Sequence, residues 1–174
     1  MLLSSLLLIP FLGTAILLLW PGEQPLGRLR LITIAILVVQ LVASLVITVQ
    51  FDPGIAGMQL QEFHSWLPGI GLDYSLGIDG LSLPLVLINA ALTLVSAVIT
   101  RDIDRRPRIY FAMLLLISGA VNGAFIADNL LLFFLFYELE LIPLWLLISV
   151  WGGANKAYAA TKFLIFTYAK PKAL

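Results

Sequence analysis

The sequence has no cysteine, which excludes disulfides, thiolate metal sites and cysteine nucleophiles. A single histidine, His64, leaves no imidazole cluster for a metal or haem. No phosphate-binding glycine loop, catalytic-triad order or metal-ligand spacing occurs, and Gly77-Ile78-Asp79-Gly80 resembles such motifs only in its glycines. Charge is scarce as well: 11% of residues are charged, against about 25% in soluble domains. Water is therefore not the main solvent. What fills the chain is apolar, 61% of its 174 residues, in long unbroken runs rather than short amphipathic stretches.

A helix rising about 1.5 Å per residue needs roughly 20 apolar residues to cross the hydrocarbon of a bilayer. Five stretches qualify: Leu2–Trp20, Leu31–Phe51, Leu81–Thr100, Ile109–Ala127 and Leu130–Trp151. Pro21-Gly22 and Asp52-Pro53-Gly54 stop the first two, and the charged run from Arg101 to Arg108 separates the third from the fourth, with Pro107 at the restart. Ser82 is the expected N-cap of the third span, putting Pro84 in the first turn, where a missing N–H costs little. The first span lacks a basic leader and a small-x-small cleavage site, so it reads as a retained helix.

Five spans make the connections alternate between two sides. Arg28, Arg30, Arg101, Arg105, Arg106, Arg108, Lys156, Lys162, Lys170 and Lys172 then fall together, and Asp52, Glu62, Asp73, Asp79 and Asp128 lie on the opposite side with no lysine or arginine. The positive-inside rule places the N-terminus outside and the C-terminus in the cytoplasm or its equivalent. The expected fold is thus an all-α membrane protein, with residues 1–174 as a single transmembrane domain of five helices and a short sixth-helix stub. The outer connection from Asp52 to Gly80, with Trp66, Tyr74 and several glycines, reads as an ordered interfacial loop.

Polar groups inside the spans are candidates for function. Glu138 and Glu140 sit about 12 Å and 15 Å into the fifth span. A carboxylate there is costly and by default functional, and a low dielectric favours its neutral form unless a cation is near. Two residues apart on a helix means about 200°, so the pair cannot chelate on one face. The flanking Leu and Phe residues do not say which acid points inward. Pro143 removes the hydrogen bond to the carbonyl of Leu139, between the acids, and should kink or hydrate the helix there. Gly119, Gly123 and Ala127 form a small-residue face for close packing. Asn89 and Asn122 suit interhelical hydrogen bonds or a water path.

Several motifs occur in a fixed order: Trp66-Leu67-Pro68, then Gly77-Ile78-Asp79-Gly80-Leu81-Ser82-Leu83-Pro84-Leu85, then Leu131-Leu132-Phe133-Phe134 leading to Glu138-Leu139-Glu140-Leu141-Ile142-Pro143, then Trp151-Gly152-Gly153 and Ala159-Ala160-Thr161-Lys162-Phe163. From about Trp66 to Thr167 this resembles chain 4 (NdhD/NuoM-like) of proton-pumping NADH dehydrogenase, respiratory complex I, in its cyanobacterial and chloroplast branch. The resemblance implies the N-terminal part of an antiporter-like subunit that moves protons in a bacterial inner or cyanobacterial thylakoid membrane. It implies no cofactor in this chain; quinone, NAD(P)H or ferredoxin, and iron–sulfur clusters are expected in other subunits. The implied partners are other membrane subunits of a multi-subunit complex and the lipid bilayer, with no nucleic acid.

Glu138 matches the family's buried glutamate, which pairs with a lysine on a later helix and gates a water-filled half-channel. Glu140 has no such counterpart. Lys162 matches a position near the start of the sixth helix, a relay or an interfacial snorkelling lysine. The partner lysine, a central lysine and a terminal acid belong to helices beyond this sequence, and Tyr168-Ala169-Lys170-Pro171-Lys172 departs from the small apolar residues of the family. A C-terminally truncated form is therefore expected. Alternatives are a cation/proton antiporter subunit, and a structural subunit or fragment without transport.

Overall fold

The computed structural model describes residues 1–22, 24–67, 69 and 71–169. Pro68 of the tryptophan motif and the tail from Lys170 to Leu174 lie outside these residues. The element order is α1 (Leu2–Leu19), α2 (Leu26–Gln50), β1 (Gln59–Leu67), β2 (Leu72–Ile78), α3 (Ser82–Ile99), α4 (Pro107–Ile126), α5 (Leu130–Trp151) and α6 (Lys156–Ala169). α1 to α5 are long and apolar enough to cross a membrane; the 14-residue α6 is not, since about 21 Å of helix falls short of the hydrocarbon.

α4 holds the bundle together, packing against α1, α2, α3 and α5, while α6 leans on α5. Small residues make this possible. A Cβ placed on Gly119 would stand 3.1 Å from the Pro10 ring and 3.3 Å from Phe11 of α1, and one on Gly123 would stand 2.5 Å from the Phe136 ring of α5. The expected small-residue face thus serves two neighbours. Large side chains outside these contacts, among them Leu12, Val42, Leu92 and Ile142, are exposed, as a lipid-facing surface requires.

The second helix begins at Leu26, five residues earlier than the hydrophobic pattern suggests. Pro25 stands at its N-cap, its carbonyl accepting from the N–H of Arg28 and Leu29. The added turn carries Arg30 outside the apolar run, where its guanidinium donates to the carbonyls of Ala97, at 3.3 Å, and of Val98 at the end of α3. Its charge thereby meets the negative end of that helix while its stem lies along the bundle. Arg108 likewise donates to the carbonyl of Gly22, and the Trp151 indole to that of Arg105, at 2.8 Å. These contacts gather the basic connections at one end of the bundle, as the alternation of spans demands.

At the other end, the expected ordered loop is an antiparallel hairpin, with His64 opposite Tyr74 and Glu62 opposite Leu76. The ladder is irregular on either side of Glu62 to Ser65, and Leu60 takes a left-handed φ of 50° within the first irregularity, where a bulge twists the strand. Asp79, not Ser82, caps α3: its Oδ1 accepts from the N–H of Leu81 (3.1 Å) and of Ser82 (2.7 Å). Ser82 returns the bond, its Oγ accepting from the Asp79 N–H at 2.9 Å, the reciprocal pattern of a capping box. The Ser82 N–H bonds draw the Asp79 carboxyl below the usual range despite some burial.

The hairpin also caps α1. Glu62, 8% exposed, accepts from the N–H of Leu3 at 2.9 Å and of Ser4 at 3.1 Å, from the Ser4 hydroxyl, and from the Met1 amine at 2.7 Å. Burial alone would raise its pKa, but the amine, the Ser4 hydroxyl and the two backbone donors together hold it below the usual glutamate range. A depressed folded value stabilises the fold at pH above the unfolded value, about 4.3, and that contribution is lost as pH falls through the folded value. The protection factors of the Leu3 and Ser4 amides, taken against intrinsic exchange rates, are therefore expected to fall as pH drops through the folded value, whereas Glu62→Gln should show low protection at every pH. Equal protection in the variant would refute the cap.

Candidate functional site

Chain sequence sets where α5 starts. Asn129 accepts at Oδ1 from the N–H of Leu131 (2.8 Å) and Leu132 (3.2 Å), an N-cap that satisfies two of the helix's orphan donors. Its Nδ2 donates to the carbonyl of Gly71 at 3.1 Å, and the Asp128 N–H donates to that of Ser75 at 2.9 Å. The hairpin thus fastens the first turn of α5. From this anchor Leu132, Phe136 and Pro143 form one buried line, with Leu141 buried about 140° away around the helix; Phe136 is stacked 6.5 Å from the Phe11 ring.

That stripe separates the two acids. Glu140 is four residues beyond Phe136 and three before Pro143, so it continues the stripe and is half-buried. Glu138 lies roughly 160° from Phe136 around the helix, beside the exposed Phe134, Ile142 and Trp145, and is also half-buried. Glu140 thus lies on the Phe136 side of α5, and Glu138 on the opposite side, between the buried Leu141 and the exposed Ile142. Among the described residues the one ion pair is Met1 with Glu62, so neither acid is paired there. Pro143 is buried inside α5 with the helix continuing to Trp151, and the carbonyl of Leu139 loses its helical donor there.

Lys162 is not brought to either acid. It lies on the exposed side of α6, its ammonium 5.7 Å from the Tyr158 ring and 5.8 Å from that of Phe166, one helical turn to each side. It also lies shallower: six residues into α6 is about 9 Å, while Glu138 is about 20 Å from Trp151. Cation–π contacts on its own helix suit a snorkelling lysine.

A second polar group lies deeper in the bundle. Asn89 of α3 donates from Nδ2 to Oδ1 of Asn122 on α4 at 2.7 Å and to the carbonyl of Ser118 at 3.0 Å. Gln40 of α2 donates to the Ser118 hydroxyl at 2.8 Å. The two asparagines thus join helices, as interhelical hydrogen bonds in a membrane do. Gln40, fully buried, is the member sequence reasoning missed, and a lone glutamine between Val39 and Leu41 was the available signal. No group of three or more His, Cys, Asp or Glu placed to hold a metal exists among the described residues.

Residues 127–170 match a family model described as NADH:quinone oxidoreductase/Mrp antiporter, TM, a segment that contains both acids. NAD(P)H-quinone oxidoreductase chain 4 1 of Synechococcus sp. (strain JA-2-3B'a(2-13)) is 50% identical over 112 residues, 64% of this chain and 21% of that protein. Chain 4 2 of Microcystis aeruginosa (strain NIES-843 / IAM M-2473) is 37% identical over 169 residues, 96% of this chain and 30% of the relative. In structure, a chain of respiratory complex I from Thermus thermophilus with bound NADH superposes with a TM-score of 0.79 at 26% identity, over 97% of this chain and 33% of that one. The chain accordingly spans between a fifth and a third of the length of these proteins. It belongs to the NADH:quinone oxidoreductase/Mrp antiporter membrane subunits, as an NdhD/NuoM-like member similar to chain 4.

Proposed function

We propose that the chain is part of a proton-translocating membrane subunit of an NAD(P)H dehydrogenase (quinone) complex, in which Glu138 takes up and releases the proton. One observation carries this reading: Glu138 lies about 12 Å into a helix long enough to cross a membrane, on the side opposite Phe136 and without an ion-pair partner among the described residues. A carboxylate in that position is stable when a further helix brings a cation or water to it, and it switches between charged and neutral forms as that partner moves. Residues 1–174 act in this reading as one transmembrane unit. Redox chemistry, with its quinone, nucleotide or ferredoxin and iron–sulfur clusters, belongs to neighbouring subunits.

Glu140 supports this arrangement by packing, and the break at Pro143 gives the helix compliance below the two acids. Proton uptake by vesicles carrying Glu138→Gln tests the reading: loss of uptake with the subunit still assembled supports it, and full uptake refutes it. A purely structural role predicts the second result.

The orientation is part of the same proposal, with the hairpin outside and the basic connections on the cytoplasmic side. Because the sequence has no cysteine, single cysteines report sidedness without background. Ile55→Cys should react with a membrane-impermeant maleimide from outside, and Asp104→Cys only after permeabilisation. The reverse pattern would invert the topology.

A further inference from the structure

At the basic end of the bundle, the start of α4 and the turn between α5 and α6 border an open cavity of about 510 Å³ lined by Arg105, Arg106, Ser149, Val150 and Lys156. Three cations share it and no carboxylate lines it. Neither α4 nor α6 brings an acid in its first turn. Lys156 is held in place by a 2.7 Å bond to the carbonyl of Val150. The nearest acids, Asp102 and Asp104, line a neighbouring cavity with Arg105, Tyr110 and Trp151, and none of them forms an ion pair among the described residues. Like charges brought together in this way call for an anion.

We propose that this cavity holds the phosphate of an anionic phospholipid headgroup, with Arg105, Arg106 and Lys156 as its donors. The depth is right for a headgroup. Trp151 and Tyr110 meet edge to face at 5.4 Å on the wall next to it, and such amphipathic rings collect at the level of lipid headgroups. Basic pockets between helices on the inner side of a membrane recognise anionic headgroups through this chemistry. A positive-inside bias alone supplies basic residues without grouping them around one cavity: Arg28, on the same side, donates to the side-chain amide oxygen of Gln24 at 2.9 Å. The site stands apart from Glu138 and does not depend on proton transfer there.

Native mass spectrometry of the detergent-solubilised full chain, titrated with phosphatidylglycerol, phosphatidylcholine and inorganic phosphate, tests the proposal. Phosphatidylglycerol should be retained over phosphatidylcholine by about tenfold. The double variant Arg106→Asn with Lys156→Gln should lose that preference, and Arg28→Gln should keep it. Asparagine is chosen because Arg106 has a left-handed φ of 47°, which asparagine tolerates. Lys156→Gln alone leaves that backbone untouched and should lower the preference part of the way. Equal retention of the two lipids, an unchanged preference in the double variant, or displacement of phosphatidylglycerol by low millimolar phosphate would each overturn the lipid site. So would loss of the preference on assembly into a complex, which would assign the cavity to an acidic protein segment.

Discussion

Glu138→Gln is expected to lower proton uptake by at least about tenfold, a barrier increase of about 1.4 kcal/mol, with the subunit present at its normal level. Glutamine keeps the shape and hydrogen-bonding capacity of the side chain but cannot exchange a proton near neutral pH. Glu138 lies off the Leu132, Phe136 and Pro143 stripe, so the change leaves the packing of α5 on α4 intact. Glu140→Gln tests the other branch. That residue is on the stripe, and its loss should alter rate less than about twofold, an energy below about 0.5 kcal/mol, while any cost appears in stability. Dye-quench measurements in inverted vesicles, alongside subunit level in the same membranes, distinguish the two. A larger rate defect in Glu140→Gln than in Glu138→Gln would reverse the assignment, and Glu138→Asp should recover part of the uptake because the proton carrier is retained.

Gly123→Val is expected to destabilise the bundle by about 3 kcal/mol, at the upper end of the usual cost of overpacking. A Cβ at this position would stand 2.5 Å from the ring of Phe136, which is itself 7% exposed and packed in the core formed with Leu3, Leu83 and Ile126. Phe11 stacks on the ring at 6.5 Å. Unfolding in a graded sodium dodecyl sulfate series measures the loss. The contact can be isolated: Gly123→Ala combined with Phe136→Leu should be more stable than the sum of the two single changes predicts, since the smaller side chain makes space for the methyl group. Strict additivity would show that the glycine is not required by this ring.

The spans were legible because apolar runs of bilayer length and the punctuation at Pro21-Gly22, Asp52-Pro53-Gly54 and Pro107 are local features. Charge made their alternation readable, since all of the basic residues belong to one set of connections. The hairpin was less visible, although Leu72, Tyr74, Leu76 and Ile78 alternate with Asp73, Ser75 and Gly77; β1 hides the matching period behind its bulges. The contact of Arg30 with α3 was out of reach, since its acceptor lies 67 residues away in sequence. Both acids could be found from their depth, but their directions could not, because α5 is leucine- and phenylalanine-rich all round and only the docking of Phe136 against Gly123 fixes its rotation.

The hairpin gives α5 two unlike halves. Its outer end is riveted through Asn129 and Asp128, and the same hairpin grips the start of α1 through Glu62, so these ends travel as one plate. Past Glu138 the helix loses a rung at Pro143, and its far end is held by the Trp151 indole on the Arg105 carbonyl and by Lys156 of α6 on the Val150 carbonyl. A force arriving from the basic side would therefore swing the inner half about a fulcrum just below the acids, turning a small sideways push into a change in what Glu138 can reach.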